Sequence, residues 1–137
     1  LSSAVGLGLS PALAPSRVEV IRNDRGVPHV YADDTHGVYA GFGYAVAQDR
    51  LFQMEMARRS VLGTVAEVSA PITAYDIRTR AAFSHVDIRS QIDALPQDRR
   101  AILKGYADGY NKRVAQVLAD RAHLPPRQFK DFCIEPA

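Results

Sequence analysis

Cysteine, tryptophan and long apolar runs are all scarce in this chain, and each scarcity excludes a class of protein. The 137 residues contain no Trp, so they offer no Trp-lined pocket. They contain one cysteine, Cys133, so neither an internal disulfide framework nor a cysteine-based zinc cluster can form. No run reaches the roughly 18 apolar residues that a membrane-spanning helix needs, so no membrane partner is expected. Cys133 is predicted to be a free thiol, exposed or half-buried, because the sequence places no base beside it.

The chain also has little excess of one sign of charge over the other. The 17 basic residues face 15 acidic ones, for a net charge of +2, and the basic residues form no long run. This balance argues against a nucleic-acid partner. Hydrophobic residues make up 47% of the chain, which is too high for disorder and fits at most one globular domain at this length.

The first residues differ in composition from the rest. Residues 1–15 are uncharged, small and mostly apolar, and residues 12–14 (Ala-Leu-Ala) have the small-x-small form of a signal-peptidase site. We therefore interpret residues 1–15 as the remnant of an export signal or as a mobile tail, and we expect a periplasmic or secreted protein.

Two β-branched segments joined by a turn signal follow. Residues 18–22 predict a strand, residues 23–26 a turn in which Gly26 can adopt a positive φ, and residues 27–31 a returning strand. Pro28 favours an edge position in that second strand. A β-hairpin is therefore predicted over residues 17–32.

A long helix is predicted next, from about residue 35 to residue 60, after the candidate N-caps Asp33, Asp34 and Thr35. Its first part, residues 37–47, contains no charge and is apolar on every side. Such a helix is normally buried inside a larger body, and a chain this short has few other apolar faces to cover it. The sequence therefore indicates a piece of a larger protein, with missing sequence covering this helix.

Glycines and charges inside this helix carry further predictions. Gly41 and Gly43 each cost about 1 kcal/mol in a helix interior, which indicates close approach of a neighbouring backbone or a local break. Glu55 and Arg59 are spaced i, i+4 and are predicted to pair on the outer face. Gly63 is expected to end or kink the helix.

The remaining sequence predicts mostly helix, with a helical region over residues 73–120. Its last helix, about 96–120, has Pro96 in its first turn and carries an apolar stripe. The stripe consists of Leu103, Tyr106, Tyr110, Val114 and Val117. The fold class is therefore α+β, an N-terminal β-hairpin followed mostly by α-helices, and the tail, residues 124–137, is predicted to be a loop.

Two pairs of residues in that last helix point to specific contacts. Gly105 and Gly109 permit close helix packing, in a helix too charged for a membrane motif. Asp108 and Lys112 are predicted to form an i, i+4 ion pair.

Asp49 is the candidate for a functional acid. It lies on the same helical stripe as Phe42 and Phe52, where a carboxylate is costly unless it is paired. The two interpretations are a perturbed acid in a site, and a buried structural ion pair with Arg58, Arg59 or a residue outside this chain. The second is favoured.

No other constellation suggests chemistry. The histidines His29, His36, His85 and His123 show no metal-ligand spacing, so surface or capping roles are expected. The glycines of residues 41–43 lack the third glycine and the β-α-β unit of a dinucleotide site. No Gly-x-Ser-x-Gly elbow is present. We therefore assign no catalytic, cofactor-binding or metal-binding residue.

Several blocks of the sequence, in the same order, resemble the start of the α subunit of the penicillin acylases. The most specific is residues 43–54, Gly-Tyr-Ala-Val-Ala-Gln-Asp-Arg-Leu-Phe-Gln-Met. The others are residues 22–32, 56–60, 63–68, 105–111 and 124–132, so the resemblance covers about residues 17–135. Two departures stand out: Cys133 occupies a place where a small residue such as Gly is expected, and residues 69–71 (Ser-Ala-Pro) replace a Gly-containing link.

This resemblance implies an amidohydrolase of the N-terminal-nucleophile class, an αββα heterodimer. Its precursor cuts itself into α and β chains, and the β chain begins with a serine. The serine hydroxyl attacks the amide carbonyl, its own α-amino group acts as base through water, and donors of the β chain hold the oxyanion. The implied partners are the β subunit and a small-molecule N-acyl amide substrate.

None of those catalytic parts matches a position in this sequence. The family's acyl-pocket helix and the acidic ligand of its structural calcium are both implied to lie beyond residue 137. The chain alone is therefore predicted to be inactive and to hold no cofactor, with calcium implied only for the full enzyme. Two alternatives remain open: a related acylase for other N-acyl amides, and a non-catalytic helical interaction module.

Overall fold

The computed structural model describes residues 17–82 and 85–137, so the segment interpreted as an export remnant lies outside the described residues. In chain order the elements are β1 (Val18–Arg22), β2 (Pro28–Ala32), α1 (Thr35–Leu62), the 3₁₀ turns Val65–Glu67 and Ala70–Ile72, α2 (Thr73–Ala82), α3 (His85–Asp93), α4 (Gln97–Ala119) and α5 (Arg127–Asp131). The predicted fold class, a hairpin followed mostly by helices, is confirmed.

The hairpin is closed by a turn whose residues form hydrogen bonds with one another. β1 and β2 are antiparallel, with Val20 opposite Val30. Gly26 adopts φ 76°, the left-handed region that glycine tolerates without strain. The second strand begins at Pro28 and not at Val27, because Val27 exchanges hydrogen bonds with Asn23: its N–H donates to Asn23 Oδ1 at 3.0 Å, and its carbonyl accepts from the Asn23 N–H at 3.1 Å.

Local signals set both ends of α1. Asp34 is the N-cap, and its Oδ1 accepts from the Gly37 N–H at 2.6 Å, which satisfies one of the unpaired donors of the first turn. Gly63 ends the helix with φ 65°, and the Thr64 N–H then reaches the Arg59 carbonyl at 2.9 Å. This is the left-handed glycine cap that commonly stops helices.

α1 is kinked at Arg50, where φ is −137° and ψ is 28°. The break does not fall at Gly41 or Gly43, which instead allow close approach. A Cβ added at Gly43 would lie 3.0 Å from the carbonyl carbon of Tyr106 in α4, and one added at Gly41 would collide with Val30 of the hairpin. Of the two explanations offered for these glycines, close packing is therefore the one observed.

α1 and α4 run in the same direction and form the main packing contact. Gly105 lies against the backbone of His36 and Gly109 against that of Ala40, so the predicted close packing at these two glycines is observed. Further along, the helices enclose the core, whose buried members are Ala47, Leu51, Val114, Val117 and Phe129.

The tail predicted as a loop contains the short helix α5. Phe129 of α5 is 3% exposed, because it closes the core end between α1 and α4. The ring of Phe52 packs edge-on against Phe129 at 5.4 Å and stacks on Phe132 at 5.6 Å. These ring contacts stabilise a five-residue helix that local sequence signals do not specify.

Candidate functional site

Asp49, the candidate acid, forms a structural ion pair, as favoured, but its predicted burial and its predicted partners, Arg58 and Arg59, are wrong. Its side chain is 47% exposed, and its two carboxylate oxygens accept from the Arg22 guanidinium at 2.8 and 3.1 Å. Arg22 also donates to the Gly26 carbonyl at 2.9 Å. The carboxylate is therefore half of a two-point clamp between the hairpin and α1, directly before the kink.

Glu55 is the carboxylate that is withdrawn from water. It pairs with Arg59 as predicted, at 2.7 Å, but it is 0% exposed, so its placement on the outer face is wrong. Leu51, Glu55 and Arg59 follow one another at four-residue spacing and all face inward. Arg58 adds two further bonds to Glu55, at 2.7 and 2.9 Å, and this hydrogen bonding raises the pKa of Arg58 above its usual range.

Contacts from the chain's far end complete the surroundings of Glu55. The Ala137 N–H donates to Glu55 Oε2 at 3.4 Å, and the Ala137 carbonyl accepts from the Tyr110 hydroxyl at 3.3 Å. Burial raises the pKa of the Tyr110 phenol, and the nearby Glu55 charge raises it further. A carboxylate bound by two guanidiniums and a backbone N–H has no open position for a substrate, so this cluster is structural.

Asp76 is a second fully buried carboxylate, which sequence reasoning missed. Its Oδ2 accepts from the Ala66 N–H at 2.6 Å and so ties the turn after α1 to α2. Its Oδ1 is enclosed and has no hydrogen-bond partner among the described residues. The short, weakly apolar helix around Asp76 offers no sequence signal for burial; Gly63, which ends α1, lies against the backbone carbonyl of Asp76.

The predicted Asp108–Lys112 pair is wrong. Asp108 Oδ2 instead lies 2.6 Å from the Lys104 ammonium and 2.8 Å from His36 Nε2, across the α1–α4 contact. The hydrogen bonds from Lys104 and then His36 lower the pKa of the Asp108 carboxyl below its ordinary value. Lys112 lies over the Tyr44 ring, with its Nζ 5.9 Å from the ring centroid.

The other sequence candidates also lie in surface contacts. His123 is 2.9 Å from Asp120, and His29 is 3.4 Å from Asn23; the side chain of His85 lies outside the described residues. Cys133 is an exposed free thiol, as predicted, and its φ of 53° explains why a glycine is expected there.

The described residues offer neither a metal-binding cluster nor a membrane-spanning helix. Among residues 17–82 and 85–137, no group of three or more His, Cys, Asp or Glu side chains could hold a metal ion. Within those ranges no helix is both long and apolar enough to cross a bilayer.

One side of the uncharged segment of α1, residues 37–47, packs against neither the hairpin nor the core. Gly37 and Gly41 face the hairpin, while Ala40 and Gly43 face α4. A third direction carries Val38 and Phe42, which are 39% and 49% exposed.

The exposed surface extends from α1 onto α4. The Phe42 ring lies 5.7 Å from the ring of Tyr106, and Leu103, one turn before Tyr106 on the same side of α4, is 46% exposed. We call Val38, Phe42, Leu103 and Tyr106 the third face. It is a candidate interface and not a catalytic centre, because it carries no ionisable group except the Tyr106 phenol.

Comparison with known proteins gives consistent matches. The family model for penicillin amidase matches residues 17–137. Penicillin G acylase of Escherichia coli is 46% identical over 130 residues, which are 92% of this chain and 15% of that protein. An acyl-homoserine lactone acylase of Pseudomonas putida is 32% identical over 131 residues, covering 89% of this chain and 17% of that protein.

One solved structure extends the match to three dimensions. A thermostable penicillin G acylase from Alcaligenes faecalis superposes with a TM-score of 0.82 at 47% identity, over 90% of this chain and 66% of that one. Penicillin acylase 2 proenzyme of Pseudomonas sp. is 37% identical over 113 residues, or 14% of its length. The chain thus spans between 14% and 17% of the length of these curated relatives.

Proposed function

Because this chain belongs to the penicillin amidase family, we propose that it is the N-terminal part of the α subunit of an amidohydrolase that cleaves the side-chain amide of penicillin-type N-acyl compounds. The observation that carries the proposal is the 46% identity to penicillin G acylase over 92% of the chain. Because the match covers 15% of that relative, the reactive groups are proposed to lie in sequence outside these residues.

The contacts of the described acidic side chains support a structural role for these residues, with the reactive groups elsewhere. Glu55 is enclosed by Arg58 and Arg59, and Asp49 is held by Arg22, so these carboxylates are engaged as structural partners. Asp108 is similarly occupied by Lys104 and His36. Glu55 has no access to a reacting proton because it is fully enclosed, and Asp49 and Asp108 are held at the surface in ion pairs with Arg22 and Lys104, so none of the three is placed as a general base in its observed contacts.

In the proposed reaction, a serine at the N-terminus of a second chain attacks the amide carbonyl, and its own α-amino group takes the proton through water. Donors of that chain hold the oxyanion, the amine leaves, and water hydrolyses the acyl-enzyme. A relative is called a proenzyme, which supports a precursor that is cut into two chains. The role of the present residues is to fix the hairpin, α1 and α4 as a scaffold for that chain. Export to the periplasm or the medium belongs to the same proposal.

A penicillin-type substrate is favoured over other N-acyl compounds because sequence identity is higher to the penicillin G acylase relative. The acyl-homoserine lactone acylase relative is 32% identical, against 46% for penicillin G acylase. No group of side chains among the described residues could hold a metal ion. Any calcium bound by the full enzyme is therefore proposed to use ligands from outside these residues. Loss of thermal stability of the full-length protein on chelation would reveal such a site.

The test compares the full-length gene product with residues 16–137 alone, using penicillin G and an N-acyl-homoserine lactone as substrates. We expect the full-length protein to hydrolyse penicillin G faster than the lactone, and the short chain to hydrolyse neither. Turnover by the short chain comparable to that of the full-length protein would refute the assignment of chemistry to the absent part.

The same assay addresses the non-catalytic alternative. A full-length protein that hydrolyses neither substrate, together with a short chain that is a stable monomer and unfolds in two states, would favour a helical interaction module.

A further inference from the structure

α1 consists of two helical halves that pack against different parts of the molecule. The first half, residues 35–49, meets the hairpin at Gly37 and Gly41 and meets α4 at Gly43, and each contact is too close to admit a Cβ. The second half, residues 51–62, turns Leu51 into the core beside residues of α4 and α5. The halves join at Arg50, whose φ of −137° and ψ of 28° lie outside the helical region. The kink therefore separates two packing units of one helix.

The usual causes of such a kink are missing around Arg50. Sharp helix kinks come from Pro, from Gly or Ser pairs, or from a side chain or water that opens the helical ladder. Residues 46–54 contain no Pro, Gly or Ser. The Arg50 side chain is exposed and has no hydrogen bond or ion pair among the described residues, so it does not hold its own backbone in this form. The cause has to be sought in contacts made by the residues next to it.

The two residues directly before the kink are held by one arginine of the hairpin. The Arg22 guanidinium donates to both carboxylate oxygens of Asp49, at 2.8 and 3.1 Å, and to Gln48 Oε1 at 3.2 Å. A further bond, to the Gly26 carbonyl at 2.9 Å, fixes the guanidinium against the hairpin's own turn. The planar fork of arginine binds two acceptors at once, which a lysine ammonium does not. We call Arg22, Gln48 and Asp49 the latch.

The latch lies where the hairpin ends alongside α1. Val18 lies against Gly37. Further along, Val20 lies against Gly41, so β1 and the first half of α1 run in the same direction. From Val18 to its end, β1 spans about 13 Å at the rise of a strand, while α1 spans about 18 Å from Gly37 to the latch. Arg22 ends β1, its long side chain covers the difference, and α1 kinks at the first residue past this contact.

We propose that Arg22 is a positioning residue whose latch holds α1 in its kinked form. A continuous helix would add backbone hydrogen bonds worth about 1 kcal/mol each, so the kink needs a contact that offsets this gain. Charge-assisted, bidentate bonds are stronger than neutral ones, and the latch places them on the residues before the kink. The kink in turn sets the direction of the second half, which carries Glu55 and Phe52, the ring against which α5 packs. The inference goes beyond the proposed function and does not rest on it, because all its groups lie among the described residues.

The test makes the same substitution at two arginines of the hairpin segment. Arg22→Met removes the latch, whereas Arg17→Met removes an exposed ion pair with Glu19 on the same hairpin. Both variants are made in the full-length protein, and crystal structures of parent and variants give the backbone angles at Arg50. We expect these angles to move toward the helical values, about −63° and −42°, in Arg22→Met and to stay at the parent values in Arg17→Met.

A charge exchange separates the ion pair from the mere loss of a side chain. Arg22→Asp places a carboxylate opposite Asp49 and should remove the kink. Adding Asp49→Arg restores an arginine-carboxylate pair with its direction reversed, and the angles at Arg50 should return toward the parent values.

Spin labels report the same change in solution. Cysteines introduced at the exposed positions Arg25 and Ala57 carry the labels, in protein in which Cys133 and any other cysteine are replaced by Ser. A tilt of about 20° over the roughly 10 Å from residue 50 to residue 57 moves the second label by about 3 to 4 Å relative to the hairpin. We expect a shift of this size in Arg22→Met and none in Arg17→Met.

Other results contradict the proposal. Unchanged angles and an unchanged label distance in Arg22→Met would overturn it and assign the kink to the packing of the two halves. An equal shift in Arg17→Met, or no return of the angles in the charge exchange, would also overturn it. If Arg22→Met gives no folded protein, Asp49→Leu removes both acceptor oxygens at similar size, with the same expected results. No readout depends on amide hydrolysis, so an inactive protein with the predicted shifts would overturn the proposed function alone.

Discussion

Glu55 and Glu67 both contact Arg59, but Glu55 is buried and Glu67 is exposed to solvent. Both bind Arg59, but the Glu55 side chain is 0% exposed and that of Glu67 is 64% exposed. Removing one member of a buried pair leaves the other charge unpaired in a low dielectric, whereas an exposed pair contributes little. The two positions therefore form a natural control for each other.

We predict that Glu55→Gln lowers the free energy of unfolding by about 3 to 5 kcal/mol, because Arg58 and Arg59 would both lose their buried counter-ion. Glu67→Gln should cost no more than about 1 kcal/mol, because water screens that pair. Urea unfolding of the intact protein measures both. Equal losses for the two variants would mean that Glu55 is not buried as described.

Asp108 should make stability depend on pH. Its pKa is lowered by Lys104 and His36, so its charged form is stabilised by folding, fully above the ordinary carboxyl pKa of about 3.9. That contribution is lost as pH falls through the lowered pKa. Because the side chain is 43% exposed, solvent screening keeps the effect at no more than about 1 kcal/mol.

The corresponding variant is Asp108→Asn, compared with the parent protein by thermal unfolding between about pH 5 and pH 2.5. The parent should be more stable at the upper end, and the difference should shrink on acidification. Lys104→Gln should reproduce part of the loss, because Lys104 is the main cause of the lowered pKa. A difference that stays constant or grows toward low pH would contradict this account.

Sequence spacing predicts which side chains can meet, but not which environment they meet in. The i, i+4 rule correctly paired Glu55 with Arg59, yet spacing carries no information on which side of α1 faces the core. For Asp108 the rule allows Lys104 and Lys112 equally, and His36, 72 residues away, lies on the Lys104 side. The Asp49 partner, Arg22, is 27 residues away, beyond the reach of any helical rule.

At the scale of elements, α1 and α4 approach through glycine. A Cβ at Gly109 would lie 2.8 Å from the Ala40 carbonyl carbon and from the Tyr44 nitrogen, distances that real Cβ atoms do not show. Helix propensity works in the opposite direction, because Ala is favoured over Gly by about 1 kcal/mol in a helix interior. The sign of a Gly-to-Ala change therefore reports which effect dominates.

We predict that Gly109→Ala destabilises the intact protein by about 1 to 3 kcal/mol, since the helices must separate to admit the methyl group. The exposed neighbour Ala107 provides the control: Ala107→Gly should lose only the propensity difference of about 1 kcal/mol, with the same spectrum and packing. Chemical denaturation measures both. A Gly109→Ala protein more stable than its parent would mean that the close contact is absent.

Elements marked by local chemistry were predictable, and elements made by tertiary contact were not. Asp34 and Gly63 carry cap signals in the sequence and bound α1 within two residues of the prediction. The helix α5 was not predicted, because its stability comes from burying Phe129. The kink at Arg50 was not predicted either, because no Pro or Gly lies at that position.

At the scale of the whole molecule, the uncharged segment of α1 is explained in part by the chain's own hairpin and α4. The remaining side, with Val38 and Phe42, stays exposed among the described residues, and sequence reasoning from this chain alone does not say what contacts it. The same limit applies to chemistry. The relatives are named acylases, while Asp49, the acid that the sequence offered as a candidate, proves to be a structural partner of Arg22.

The central claim is that the reactive hydroxyl belongs to a second chain, for which these residues are scaffold. The most direct measurement is the intact mass and N-terminal sequence of the purified, active full-length gene product. The account predicts two chains, one containing residues 17–137 and the other beginning with serine. A single uncut chain that hydrolyses penicillin G, or an active protein whose second chain begins with a residue that lacks a nucleophilic side chain, would contradict it.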